Sequence, residues 1–363
     1  MQRAVCFDDV LLVPQHSDVA SRSDVNLSVT GFDEPYTRLT PGGNILTCPI
    51  VGSPMDTVIG PKSAALLHNI GGFGILHRYC SIEAAKDSFL ETVQLIDVDA
   101  SQPNIMVAVG ATGDYMDRAG SLYEVGCRAF CIDVAHGHHE HVKKALGDLR
   151  DKYGHSIHIM AGNVATLEAF NDLADWGADS IRVGVGGGSM CTTRIRTGHG
   201  IPTLQSVLDC AKSDKDALIV ADGGIRSSGD AVKALAAGAD MVMLGSLLAG
   251  HDESPGDIVD KRGVPHDPKW KNDIPLFKKF RGMASKEAQL EWRGRVSVVE
   301  GDSALIPYKG SMKETLIELT DGIRSGLSYS GAKTIRELRT RAKFIGISSN
   351  GVKENTSHGK IIF

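Results

Sequence analysis

Eight short apolar runs rich in β-branched residues, each followed by a longer segment of helical period, constrain this chain more than any other feature. The runs are residues 45–51, 72–77, 105–109, 129–134, 158–161, 180–185, 218–221 and 241–244. Between them lie helix-like stretches at 81–95, 114–125, 139–152, 167–176 and 228–237. Within 230–240, Val232, Leu235 and Ala236 share one face and Gly238 supplies a stop. Strand–helix alternation demands a parallel sheet. Eight units predict a closed (β/α)8 barrel, an α/β fold, with an open doubly wound sheet as the competing architecture.

The ends of the runs favour closure. They stop at Ser53-Pro-Met-Asp-Thr57, Asp133-Val-Ala-His-Gly-His138, Gly162-Asn163, Asp222-Gly-Gly-Ile-Arg226 and Gly245-Ser246, all polar or glycine-rich. In a parallel barrel such ends share one mouth, where active sites sit, and the turns after the last two strands commonly hold a phosphate. One strand end stands apart: Gly184-Val-Gly-Gly-Gly-Ser-Met-Cys-Thr-Thr-Arg194. Its glycines allow positive φ and close approach of backbone to a ligand. A thiol at Cys191, hydroxyls at Ser189, Thr192 and Thr193, and the cation Arg194 follow, as a nucleophile beside a binding cradle would require.

Composition narrows the function. With 363 residues the chain buries a large core, expected as one catalytic barrel over residues 1–363. A net charge of −5 argues against a nucleic-acid partner. Seven cysteines at irregular spacing read as reduced thiols rather than a disulfide framework. The pair Cys127 and Cys131 lacks a second ligand pair for structural zinc. No apolar stretch reaches membrane-spanning length and no signal-peptide core is present, so a cytoplasmic protein with no membrane partner is expected. After Gly245 a polar excursion runs from about 250 to about 310; connections this long are usually lids or binding loops. Its prolines, among them Pro255, Pro265 and Pro275, argue against continuous helix. The tail, about 343–363, has little helical pattern and is expected to dock on the barrel or on a neighbouring subunit.

Nine segments in order resemble the IMP dehydrogenase/GMP reductase family, from about residue 4 to about 354. Besides those above they include Cys6-Phe-Asp-Asp-Val-Leu-Leu-Val-Pro14, Ser21-Arg-Ser-Asp24, Met243-Leu-Gly-Ser246 and Arg281-Gly-Met283. The resemblance implies a (β/α)8 barrel acting on a purine nucleotide monophosphate, GMP or IMP, with a nicotinamide cofactor, typically as a homotetramer. It implies that Cys191 attacks C2 of the purine, forming a covalent thioimidate, and that Thr193 and Glu300 join the chemistry. By similarity the substrate is held by Ser53, Met55, Ser189, Asp222, Gly223, Gly224, Gly245, Ser246, Arg281, Gly282, Met283 and Gly301. The cofactor side falls to Asp133, Ala135, His136, Asn163, Arg182 and Gly184, and a potassium site to the carbonyls of Gly186, Gly188 and Cys191.

Three departures qualify the resemblance. Gly187 stands where the family usually has proline, predicting a looser cysteine loop. Phe280 replaces a phosphate-binding tyrosine usual in the dehydrogenases. Glu354-Asn-Thr356 only partly matches the dehydrogenase Glu-Ser-His. These departures leave room for a nucleotide-sensing barrel or one specific for a modified purine.

Reaction direction turns on the flap. There is no room for the two CBS modules that dehydrogenases usually carry after the second strand. The link from Met283 to Glu300 lacks the Arg-Tyr pair with which a dehydrogenase activates water; Arg293 and Arg295 have no tyrosine beside them, and the chain's Arg-Tyr, Arg78-Tyr79, ends the second strand. Thr193, Glu300 and Ala249-Gly-His251 match the reductase pattern. Asp222-Gly-Gly-Ile-Arg226, Gly245-Ser246 and the segment 337–344 look closer to bacterial dehydrogenases. The flap carries the step that differs, so the expectation is GMP reductase with NADPH, the alternative being IMP dehydrogenase with NAD.

Overall fold

The computed structural model describes residues 3–29, 45–96, 103–267 and 274–355. Strand β1 (Val10–Leu12) precedes the barrel strands β2 (Ile50–Gly52), β3 (Phe73–Leu76), β4 (Ile105–Val109), β5 (Ala129–Asp133), β6 (His158–Val164), β7 (Ser180–Val183), β8 (Leu218–Asp222) and β9 (Met241–Leu244). All eight barrel strands pair in parallel, in chain order, and β2 closes on β9 through Ile50–Val242, Val51–Met243 and Gly52–Leu244. Closure is the outcome the count of eight predicts.

Period-two alternation sorts the strand residues into two cores. Val51, Phe73, Ile75, Met106, Cys131, Met160, Val220 and Met243 fill the lumen, with Leu46 and Val29. Their sequence neighbours Ile50, Leu76, Val107, Phe130, Ile132, Ile159, Ile181, Ile219 and Val242 face the helices. Each such side chain, fully buried, contributes about 1.5–3 kcal/mol. The first strand is shorter than the apolar run 45–51 predicts. Pro49 has no N–H to donate, and upstream the Leu46 carbonyl accepts from Val29 N while Thr47 N and Cys48 N both donate to Gly71 O.

The crossover helices match their expected spans within a residue or two: Ile82–Gln94, Tyr115–Glu124, Glu140–Tyr153, Leu167–Asp175 and Ser228–Ala236. Hydroxyl caps set several starts. Ser81 accepts from Ala84 N, Thr166 from Ala169 N and Ser227 from Asp230 N.

The excursion folds into an antiparallel pair, β10 (Phe277–Arg281) and β11 (Ser303–Pro307), joined through the helix Lys286–Arg293. The link expected between Met283 and Glu300 is therefore partly helical, capped by Ser285 at its start and by Gly294 in the left-handed region at its end. A helix Met312–Tyr329 resumes the barrel. In the tail, β12 (Phe344–Gly346) pairs antiparallel with β1, so that segment docks on its own chain. Of the expected tail motif, Glu354 ends a short helix, Ser349–Glu354, and Asn355 caps it, whereas Thr356 lies outside the described residues.

Candidate active site

The C-terminal ends of the barrel strands open into a cleft of about 340 Å3. It is lined by residues from seven strand ends and from the excursion, among them Ser53, Met55, Asp133, Ala135, Asn163, Arg182, Gly184, Gly186, Gly188, Ser189, Cys191, Thr193, Asp222, Gly223, Gly224, Gly245, Ser246, Gly282, Met283 and Glu300. Nearly every residue the sequence points to thus meets in one place.

Cys191 sits where the glycine loop meets the excursion. Cys191 N donates to Gly188 O at 3.1 Å, closing a tight turn. A short antiparallel bridge then joins Cys191 to Gly301: Thr192 N donates to Glu300 O at 2.9 Å and Asp302 N to Met190 O at 2.9 Å. This backbone pairing carries a side-chain relay. The Cys191 thiol donates to Thr193 Oγ1 at 3.2 Å, and the Thr193 hydroxyl donates to Glu300 Oε2 at 2.8 Å. The carboxyl of a residue 107 positions beyond Thr193 is thereby wired to the thiol. Such an arrangement can pass a proton between a carboxyl and a group held over the sulfur.

The glycine at 187 does not loosen this loop. A Cβ there would lie 2.5 Å from Thr203 Oγ1, and the Thr203 hydroxyl is itself held by Asp222 O at 3.3 Å. The space of the expected proline is filled by the threonine, so the expectation of a looser loop is corrected: the loop is packed.

Across the cleft, Arg182 rises from the lumen face of β7, 7% exposed. Its guanidinium donates to Asp222 Oδ2 through Nη2 at 2.9 Å and through Nε at 3.2 Å, and its Nη1 donates to Asp133 Oδ1. Burial opposes its charge, yet Asp222 and Asp133 hold its pKa well above the ordinary arginine value. Asn163, at a register slip between β6 and β7, donates to Asp222 Oδ2 at 2.7 Å and to Gly184 O at 2.9 Å. Arg182 and Asn163 thus converge on one oxygen of Asp222. These side-chain hydrogen bonds leave its other oxygen as a further acceptor.

The turns after β8 and β9 form the cradle. Gly223 and Gly224 take φ of +88° and +79°, and a Cβ at Gly223 would come within 2.9 Å of the Gly187 backbone. Only glycine permits that approach. Ser53 Oγ, buried and without a protein partner among the described residues, lies 3.2 Å from where a Gly245 Cβ would stand. An unpaired buried hydroxyl costs about 1–3 kcal/mol unless a ligand satisfies it.

Three residues that the resemblance assigns to the site do not line the cleft. Strand alternation puts Phe280 into it and turns Arg281 the other way, where its Nε donates to Asp56 Oδ2 at 3.1 Å and its Nη2 to Glu291. Gly301 acts through backbone, bridging Cys191 and Ser285. His136 lies outside the lining; burial, and then His138, His139 and His199, push its pKa down. His251 is likewise remote, its ring between Leu247 O and Gly310 O.

Arg78 and Tyr79 line the cleft without having been singled out for it. Tyr79 stacks on Trp292 of the flap helix, centroids 6.0 Å apart, and the Arg293 guanidinium lies 5.8 Å from the Tyr79 ring. The tyrosine absent beside Arg293 in sequence is thus supplied in space by the end of β3. The visible signal was the Arg-Tyr dipeptide itself.

Fold and family together define a (β/α)8-barrel enzyme with a cleft at the strand C-termini, the face where such barrels carry their sites. The IMP dehydrogenase / GMP reductase domain matches residues 4–358, and the chain belongs to that family of purine-nucleotide oxidoreductases that use a nicotinamide cofactor. Its relatives carry both names. Inosine-5'-monophosphate dehydrogenase of Bacillus subtilis (strain 168) is 42% identical over 261 residues, 69% of this chain and 51% of that one. GMP reductase of Vibrio parahaemolyticus serotype O3:K6 is 33% identical over 361 residues, 98% of this chain and 97% of that one. Among solved structures, a cysteine-to-alanine variant of Trypanosoma brucei GMP reductase, in complex with guanosine 5'-monophosphate, superposes with a TM-score of 0.85 at 29% identity, over 99% of both chains.

Proposed function

We propose that the protein is a GMP reductase that converts GMP to IMP and ammonia with NADPH. The observation that carries this reading is the relay Cys191–Thr193–Glu300, which joins a carboxyl to the thiol through one hydroxyl. The Cys191 thiolate adds to C2 of the purine. The exocyclic amino group takes a proton, delivered from Glu300 through the Thr193 hydroxyl, and departs as ammonia, leaving the thioimidate. The reduced nicotinamide, when bound, supplies a hydride to C2. The C–S bond then breaks and its electron pair returns to sulfur.

The rest of the cleft serves binding. Asp222 accepts the ribose hydroxyls, its charge balanced by Arg182. Ser189, Gly223, Gly224, Gly245 and Ser246 take the 5'-phosphate, with Ser53 Oγ aimed at the same end. Asp133, Ala135 and Asn163 flank the nicotinamide. The carbonyls of Gly186, Gly188 and Cys191 would hold a potassium ion in the same reading; Gly188 O, which accepts from Cys191 N at 3.1 Å, keeps a second lone pair for it. The reading carries with it a homotetramer, checked by sedimentation, and a cytoplasmic location. Among the described residues no helix is long and apolar enough to cross a membrane.

A second reading, IMP dehydrogenase, is favoured by one observation: Tyr79 faces the cleft with Arg78 and Arg293 both against its ring. That is an Arg–Tyr arrangement assembled from two segments. The test incubates purified protein with GMP and NADPH, and separately with IMP and NAD, following the reduced cofactor by absorbance. Oxidation of NADPH with ammonia release supports the reductase. Turnover confined to IMP and NAD, abolished by Tyr79→Phe, establishes the dehydrogenase instead.

A further inference from the structure

Beside the cleft, the end of β3 and the end of the flap helix build a small cationic platform. The Tyr79 and Trp292 rings stack with an interplanar angle of 18°. Arg78 places its guanidinium carbon 5.1 Å from the Tyr79 centroid and Arg293 places its own at 5.8 Å. The two cations are not equivalent. Arg78 is held by Asp133, its Nε donating to the backbone carbonyl at 3.1 Å with the carboxylate 4.0 Å away.

Arg293 has no carboxylate within ion-pair distance among the described residues, because the acids of its own helix are committed elsewhere. Glu287 pairs with Lys279, and Glu291 with Arg281. A guanidinium resting on an aromatic face keeps its five N–H donors for a planar or tetrahedral anion. Tyr79 lines the same cleft as Cys191, Asp133 and Asn163, so an anion on this platform would belong to a ligand already lying in the cleft.

We propose that Arg293, held on the Tyr79–Trp292 stack and seconded by Arg78, binds a phosphate group of the nicotinamide dinucleotide. This rests on the cleft taking that cofactor as proposed above. Both the pyrophosphate and the 2'-phosphate of NADPH present the required chemistry, and the experiment separates them.

The test titrates NADPH and NADH fluorescence against the full-length protein as wild type, Arg293→Met and Arg293→Lys. Binding is read directly, so the result does not depend on reaction direction. Loss of one charge-assisted contact weakens NADPH binding about tenfold in Arg293→Met. Arg293→Lys recovers part of the loss, and the affinity of Arg293→Met depends less on ionic strength than that of the wild type. Equal weakening of NADH assigns the pyrophosphate; weakening of NADPH alone assigns the 2'-phosphate.

Binding of both cofactors within twofold of wild type overturns the proposal. So does an equal rise in the KM of the purine nucleotide, which marks a flap-packing role. If the protein turns over only IMP with NAD, the same series is run with NAD and read through tryptophan quenching. The proposed reaction then fails while the assignment of Arg293 stands or falls on its own.

Discussion

The relay through Thr193 makes Glu300→Gln the most informative substitution. The glutamine carboxamide oxygen still accepts from the Thr193 hydroxyl, now 2.8 Å from Oε2, so the loop geometry survives. What disappears is a group able to give up a proton. General acid catalysis contributes about 10²–10⁴-fold, or roughly 3–5 kcal/mol at about 1.36 kcal/mol per decade. Expected is a fall of about a thousandfold in kcat for GMP reduction, with the KM for GMP and the melting temperature close to wild type. Thr193→Val cuts the same wire at its middle, removing both the 3.2 Å and the 2.8 Å contacts. Groups that act as a unit are not additive, so the double variant should be no slower than the worse single one. The assay follows NADPH oxidation and ammonia release together, with Cys191→Ala as the inactive reference. A kcat for Glu300→Gln within about tenfold of wild type, or losses that multiply in the double variant, would refute the relay.

Three further outcomes follow from the same geometry. Asp222→Asn leaves buried Arg182 with Asp133 as its remaining carboxylate; stability should fall by about 3 kcal/mol, read by urea denaturation, and an unchanged midpoint would show that the pair carries no net weight. Gly187→Ala forces a Cβ to 2.5 Å from Thr203 Oγ1 and should cost about 1–3 kcal/mol; adding Thr203→Ala should recover part of it, whereas strictly additive losses would dissociate the two residues. Tyr308, whose hydroxyl donates to Asp252 Oδ1 at 2.6 Å, is pushed up to about 12 by burial and then by that bond. Because its folded pKa is raised, the stability it contributes is present below pH of about 10 and is lost as pH rises toward about 12; Tyr308→Phe should flatten the melting temperature over that window, and a wild-type profile identical to the variant's would contradict this.

Much of the barrel was legible because its strands and helices obey strict local periods. Runs of β-branched residues and serine or threonine caps are set by a few neighbouring residues, and the count of eight needed nothing more. The structure departs from the local pattern where tertiary contacts override it. Pro49 shortens the first strand, since an apolar run says nothing of a missing donor. Gly187 read as slack because sequence cannot show Thr203 moving into the space. Arg281 was assigned with its motif, yet along a pleated strand the neighbour of inward Phe280 must face outward. The Cys191–Thr193 half of the relay is local and was visible at once. Tyr79 and Arg293 belong to segments more than two hundred residues apart, and only the closed barrel brings them together.

The backbone pairing of residues 300–302 with 190–192 also bears on the order of events in a catalytic cycle. Glu300 belongs to the very segment that bridges to the thiol loop. In the proposed mechanism, parting that bridge to exchange ligands would withdraw the proton source in the same motion. Nucleotide could then enter an open cleft and meet the sulfur, but ammonia could not leave until the bridge had re-formed. Closure and proton supply become one event, so a half-open enzyme idles instead of misfiring.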